Sequence, residues 1–243
     1  MEFTTGQIRP FEVYKEAWAM MKPEFWPIFG IVIIGMLVGS VVPIVVMGPM
    51  MIGVFLCLID KVDGKPASFD KLFKGFDQFG AGLVIALMIM LPVFAFFFIV
   101  YIPMILMSIY GPRVSESELF PFIGGVLLIE LLMGICMTVL HSLLIFAFPL
   151  IADRRLGGFE AARLSAKAAW ANKGGIAGFF GVGILVVLAG YALLCVGVYL
   201  ALPVIMMATT VAYRKVFPRT EQALNLSPPP PNVYQGFVDN GRN

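Results

Sequence analysis

Charge is what this sequence has least of. Asp, Glu, Lys and Arg make up 13% of its 243 residues, against roughly 25% in an ordinary soluble domain. So little polar surface cannot face water on every side, and the apolar excess must face lipid. Histidine occurs once, which leaves a catalytic triad or a metal site short of groups. Cys57, Cys136 and Cys195 all fall in apolar runs. They read as small apolar fillers rather than a disulfide framework. The sequence holds no Walker motif, nucleophile elbow, CxxC pair or HExxH, and no cleavable signal peptide is legible at its start. A formal net charge of +2 gives no case for binding nucleic acid.

What is present is apolar. Hydrophobic residues make up 60% of the chain and the mean hydropathy is +0.92. A membrane span needs roughly 20 apolar residues. Two runs, 25–59 and 174–211, are too long for one crossing and carry turn residues near their middles, Gly39, Ser40 and Pro43 in the first. The sequence therefore predicts an all-α integral membrane fold with six spans, about 25–42, 44–59, 79–110, 119–151, 174–192 and 196–216. Pro92 and Pro103 are the expected kink sites of the third span. Residues 1–219 read as one membrane domain. Residues 220–243, with Pro228 to Pro231, read as a disordered polar tail.

The basic residues orient the spans. Arg9, Lys15 and Lys22 precede the first span, and Lys61, Lys65, Lys71 and Lys74 follow the second. Arg154, Arg155, Arg163, Lys167 and Lys173 lie between the fourth and fifth, and Arg214, Lys215 and Arg219 close the sixth. Under the positive-inside rule this places both chain ends in the cytoplasm. With four spans instead, the first two basic groups would fall on opposite faces.

Three amphipathic segments lie on the basic side. Phe11, Tyr14, Ala17, Trp18 and Met21 share one helical face. Ser68 is a good N-cap, and Phe69, Leu72, Phe73 and Phe76 follow at helical spacing. Phe159 to Trp170 carries a weaker stripe. Such segments lie in the membrane interface, or pack on the cytoplasmic ends of the spans, and the two readings are compatible. Each precedes a pair of spans, so the fold reads as three hairpins, each led by an interfacial helix. The first and last thirds resemble one unit used twice, with Pro49 and Lys61 matched by Pro203 and Lys215. These would be parallel repeats around a shared interface.

Three stretches carry a resemblance to known proteins: FEVYKEAWAMMKPEFWPIF at 11–29, GPMMIGVFLCLIDKVDGKPASFDKLFKGF at 48–76 and FPLIADRRLGGFEAARLSAKAAWANKGG at 148–175. The chain resembles a broad group of uncharacterised bacterial polytopic membrane proteins, which includes the membrane domain joined to some glycerophosphodiester phosphodiesterases. The soluble catalytic domain of those enzymes has no counterpart here, so their activity does not carry over. The resemblance implies a bacterial inner membrane location and a fold of hairpins with interfacial helices.

Two ionisable residues stand deep in an apolar run, Glu130 and His141 of the fourth span. Such residues default to functional candidates. Eleven positions apart, they share a helical face but lie about 16 Å apart along it. Either they line a proton or substrate path, or Glu130 sits at the outer end of a long helix and His141 bonds to a neighbour. Lys71, Lys74, Arg154 and Arg155 are candidate contacts to lipid headgroups. Gly124-Gly125, Gly174-Gly175 and the glycines from 178 to 183 read as close-packing positions. No catalytic residue, cofactor or metal is expected. The sequence favours a non-enzymatic scaffold or accessory subunit, bound to lipid and, through the Pro-rich tail, to a protein partner. The alternative is a small transporter or permease with a mid-membrane site near Glu130 and His141.

Overall fold

The computed structural model describes residues 3–110, 116–192 and 196–219. The tail at 220–243 lies outside the described residues. Among those described, regular structure is helical throughout. The helices are α1 (Pro10–Met21), α2 (Phe25–Val41), α3 (Met47–Val62), α4 (Phe79–Tyr110), α5 (Glu116–Leu144), α6 (Ala147–Arg154), α7 (Gly158–Ala171), α8 (Lys173–Ala192) and α9 (Val196–Val216). Two 3-10 segments, Lys22–Glu24 and Phe69–Gln78, link α1 to α2 and lead into α4.

Five helical stretches are long and apolar enough to cross a membrane: Pro10–Val41, Phe69–Ile109, Phe120–Arg154, Lys173–Ala192 and Gly197–Val216. The stretch expected at 44–59 becomes α3, which has 16 residues and ends with Asp60 and Lys61 in its last turn. It is shorter than the other five. Pro92 and Pro103 remain inside one continuous α4. The interruption comes in the next span, at Ile145 and Phe146, between α5 and α6. Pro149 has no N–H to give the Ile145 carbonyl and its ring crowds that carbonyl. Ser165 of α7 closes the gap. Its hydroxyl accepts the Phe146 N–H at 3.0 Å and donates to the Leu143 carbonyl at 2.7 Å. Ser165 is fully buried, where an unpaired backbone group would be costly.

α2 and α3 lie side by side, with Gly39 against Met47 and Gly35 against Val54. α8 and α9 do the same, with Gly190 against Gly197. The three amphipathic segments pack in a cyclic order. Phe69–Gln78 leads into α4 and α5 yet lies on α2 and α3. α7 leads into α8 and α9 yet lies on α4 and α5. α1 leads into α2 and α3 yet lies on α8 and α9. Each segment thus covers a pair of helices other than the pair it introduces. α8 receives the chain leading into α1 through glycines. A Cβ on Gly175 or Gly178 would come within 2.7 Å of Ile8 or Pro10. A Cβ on Gly183 would come within 2.9 Å of the Tyr14 hydroxyl of α1, while the remaining glycines singled out from sequence, Gly124, Gly125, Gly174 and Gly181, have open space around them.

The core sits where α3, α6 and α9 converge. Met50, Ile52 and Leu58, Phe146 and Leu150, and Met207, Tyr213 and Phe217 belong to one cluster, all fully buried, with the rings of Phe146, Tyr213 and Phe217 in contact. From α1, Val13, Ala17 and Met21 close the same core, while Phe11 and Trp18 are exposed. The outer parts of α4 and α5 are different. Leu91, Phe94, Phe98, Ile105, Leu127, Leu131 and Ile135 are all exposed. An apolar helix with apolar side chains outward is what lipid, not water, accommodates.

The segment after Ser68 forms, but not as an α-helix. Ser68 caps it as expected, accepting the Asp70 N–H at 3.3 Å. Its ten residues are 3-10 throughout, a long run for that geometry. Close backbone contact with α3 explains how it is held. A Cβ on Gly53 would fall inside the Leu72 carbonyl, and one on Gly75 inside the Pro49 carbonyl.

Candidate functional site

The converging ends of α3, α6 and α9 carry the densest polar network among the described residues. Each end supplies charge: Asp60 and Asp63 from α3, Asp153 and Arg154 from α6, Arg214 from α9, and Arg219 just beyond it. Arg214 stands at the centre. Its Nε and Nη2 donate to the two oxygens of Asp63 at 3.0 and 2.8 Å. Its Nη1 and Nη2 donate to the two oxygens of Asp153 at 2.7 and 2.8 Å. Both pairs are bidentate, the geometry that a planar guanidinium suits and an ammonium does not. Tyr213 Oη also donates to Asp153, at 2.7 Å. Arg219 pairs with Asp63. Arg154 reaches the Pro218 carbonyl at 3.5 Å and lies over the Phe217 ring.

A ring of weaker pairs surrounds this centre. Lys61 donates to Glu24 at 2.6 Å, and the other Glu24 oxygen accepts the Ala67 N–H at 2.9 Å. Lys215 of α9 pairs with Glu16 of α1 at 2.7 Å. Asp60 takes Lys71 and, at 3.5 Å, Lys65. Asn172 ties down the N-terminal stretch, accepting the Gly6 N–H at 2.8 Å and donating to the Thr4 carbonyl at 3.2 Å.

A cavity of about 890 Å³ opens among these groups. Lys65, Arg154, Arg155, Arg214 and Arg219 line it, with Asp60, Asp63 and Asp153. Arg214 makes four hydrogen bonds to its two carboxylates and has little left for a ligand. It joins three helix ends and is not a free cation. Arg155 differs: among the described residues its side chain has no ion-pair or hydrogen-bond partner, and it is exposed.

The sequence candidates divide accordingly. Arg154 and Arg155 line this cavity, and Arg155 meets Lys71 and Lys74 around a smaller cleft beside it. Four residues from two distant stretches are thereby brought to one face. Glu130 and His141 lie far from that face. Glu130 is half-buried and lines a groove of about 400 Å³ with Met104, Met107, Ser108 and Phe122. His141 is exposed and donates from Nδ1 to the Met137 carbonyl of its own helix at 2.8 Å. The groove around Glu130 does not include it. Among the described residues no three His, Cys, Asp or Glu side chains are grouped to hold a metal.

Sequence reasoning missed Asp63, read Asp153 only as part of an Asp153-Arg154-Arg155 interfacial anchor or headgroup site, and read Arg214 only as an orientation marker. Asp63 and Arg214 are separated by 151 positions. A local signal for Asp63 alone does exist, in the turn residues Asp63-Gly64 that end α3. No protein-family model, no curated protein and no solved structure matches the chain.

Proposed function

We propose that this chain is a non-enzymatic membrane scaffold or accessory subunit. In this reading it has six spans in three parallel hairpin repeats, with α3 as the sixth, short span. The α3–α6–α9 junction lies on the cytoplasmic side of a bacterial inner membrane, with both chain ends beside it. The tail at 220–243 is the contact for a protein partner. The cyclic packing of the three amphipathic segments supports the repeat, since each pair of helices then receives the same kind of cover.

One observation carries the functional reading, namely how the buried polar groups are used. Arg214 is committed to Asp63 and Asp153 through four hydrogen bonds. Thr209 and Thr210 bond back to carbonyls of α9. Ser165 and Asn172 are spent on backbone groups. The interior between them is apolar side chains. Groups so committed stabilise a shape and are poorly placed to move a proton or hold a passing solute.

A transporter remains the second reading, favoured by the half-buried Glu130 in its groove. Proteoliposomes containing the full chain separate the two. Under the scaffold reading, current measurements on a supported membrane, across pH and solute jumps, show no protein-dependent charge movement, and Glu130→Gln changes nothing. A transient that needs the protein and disappears in Glu130→Gln would replace the scaffold with a transporter.

A further inference from the structure

The 3-10 geometry divides Phe69–Gln78 and the residue after it into three stripes, because three residues complete each turn. Leu72 and Gly75 are buried against α3. Phe73, Phe76 and Phe79 form an exposed stripe, at 58%, 39% and 39%. Lys71, Lys74 and Asp77 form the third, along a cleft of about 200 Å³. Arg155, at the end of α6, lines the same cleft, as does Gln78.

Arg155 has a backbone that suits glycine. It sits at φ 51°, ψ 36°, and among the described residues it is the one non-glycine at positive φ. A side chain there crowds its own backbone, and such outliers concentrate at functional positions. Lys71 is held by Asp60, whereas neither the Lys74 nor the Arg155 side chain has a partner among the described residues. The cleft therefore keeps two uncommitted cations against one carboxylate, Asp77.

We propose that this cleft binds the phosphate of an anionic glycerophospholipid. It deepens the scaffold reading and rests on it for the placement of the charged face at the membrane interface. Arg155 and Lys74 donate to the phosphate oxygens, charge-assisted contacts of the kind that guanidinium and ammonium groups make with phosphate. Asp77 faces the same space. It disfavours a second negative charge and accepts a headgroup hydroxyl, so a glycerol phosphodiester fits better than a phosphomonoester. The exposed Phe73, Phe76 and Phe79 lie one stripe away and give the acyl chains an aromatic surface at the level where such rings collect.

The test uses the full chain in phosphatidylcholine nanodiscs doped with phosphatidylglycerol, with retained lipid counted by native mass spectrometry. Wild-type protein should keep phosphatidylglycerol in preference to phosphatidylcholine. Arg155→Gly should weaken that retention about tenfold, the scale of one lost charge-assisted contact, and Lys74→Gln should weaken it in the same direction. Misfolding does not explain such a loss in Arg155→Gly, because glycine adopts the left-handed backbone freely and the melting temperature should hold or rise. Equal retention in wild type and both variants would overturn the site. Displacement of the lipid from wild type by an equal concentration of inorganic phosphate would overturn the lipid assignment in favour of a soluble phosphate. Either result leaves the proteoliposome measurement, and the scaffold reading it tests, standing separately.

Discussion

Arg214→Ala should be the most damaging single substitution outside the apolar core. The change leaves Asp63 and Asp153 facing each other with their central cation gone. Their side chains are only 7% and 20% exposed. Removing one partner from a buried ion-pair network costs about 3–5 kcal/mol, because the remaining charges stay desolvated and unpaired. Arg219 still reaches Asp63 and Arg154 lies near Asp153, which limits the loss and sets the expectation near the lower end of that range. Arg214→Lys should recover only part of the stability, since one ammonium cannot serve two carboxylates bidentately. Thermal unfolding of the purified chain in detergent, wild type against both variants, gives the order wild type, Lys, Ala. Equal melting temperatures for wild type and Arg214→Ala would mean that the junction is not held by this arginine.

Gly53→Ala should have a comparable effect for a different reason. The added methyl group would occupy the Leu72 carbonyl. Backbone cannot rotate aside as a side chain end can, so the 3-10 segment must lift from α3 or α3 must shift. Overpacking in a filled interior costs about 1–3 kcal/mol, and backbone collisions belong at the upper end. The loss should also be local. A spin label at Phe73 should become more mobile in Gly53→Ala, while one at Trp18 on α1 stays as it is. Unchanged mobility at Phe73 would show that the segment is held by something other than its contact with α3.

What could be read in the sequence was whatever depended on a few neighbouring residues. Ser68 caps the segment it was expected to cap, and the apolar runs form long apolar helices. Gly175 and Gly178 make a close contact of the kind that small residues permit. Hidden from such reading was whatever depended on which element lies opposite. Phe69, Leu72, Phe73 and Phe76 fit an α-helical stripe on spacing alone. Contact with Gly53 instead favours 3-10 geometry, which buries Leu72 and leaves Phe73 outward. Likewise the partner of Arg214 is set by the convergence of three helix ends far apart in the chain, and no local pattern encodes it. Glu130 and His141 share a face by helical arithmetic, yet their surroundings differ, because α4 covers one and nothing in the groove reaches the other. The four basic residues nominated for lipid were legible as charges near apolar runs. Their meeting around Arg155 was not, because it requires α6 to end beside a segment that lies about eighty positions earlier.

The central claim is that the charged junction of α3, α6 and α9 sits on the cytoplasmic side, with six spans carrying the chain back and forth from it. Single-cysteine labelling in intact cells, in a background with Cys57, Cys136 and Cys195 replaced, tests it most directly. An impermeant maleimide added from outside should label a cysteine at Ser117 and should fail to label one at Ser68 or Ser227 until the membrane is opened. Labelling of Ser68 from outside would put the 3-10 segment and the junction on the wrong face and would contradict the account.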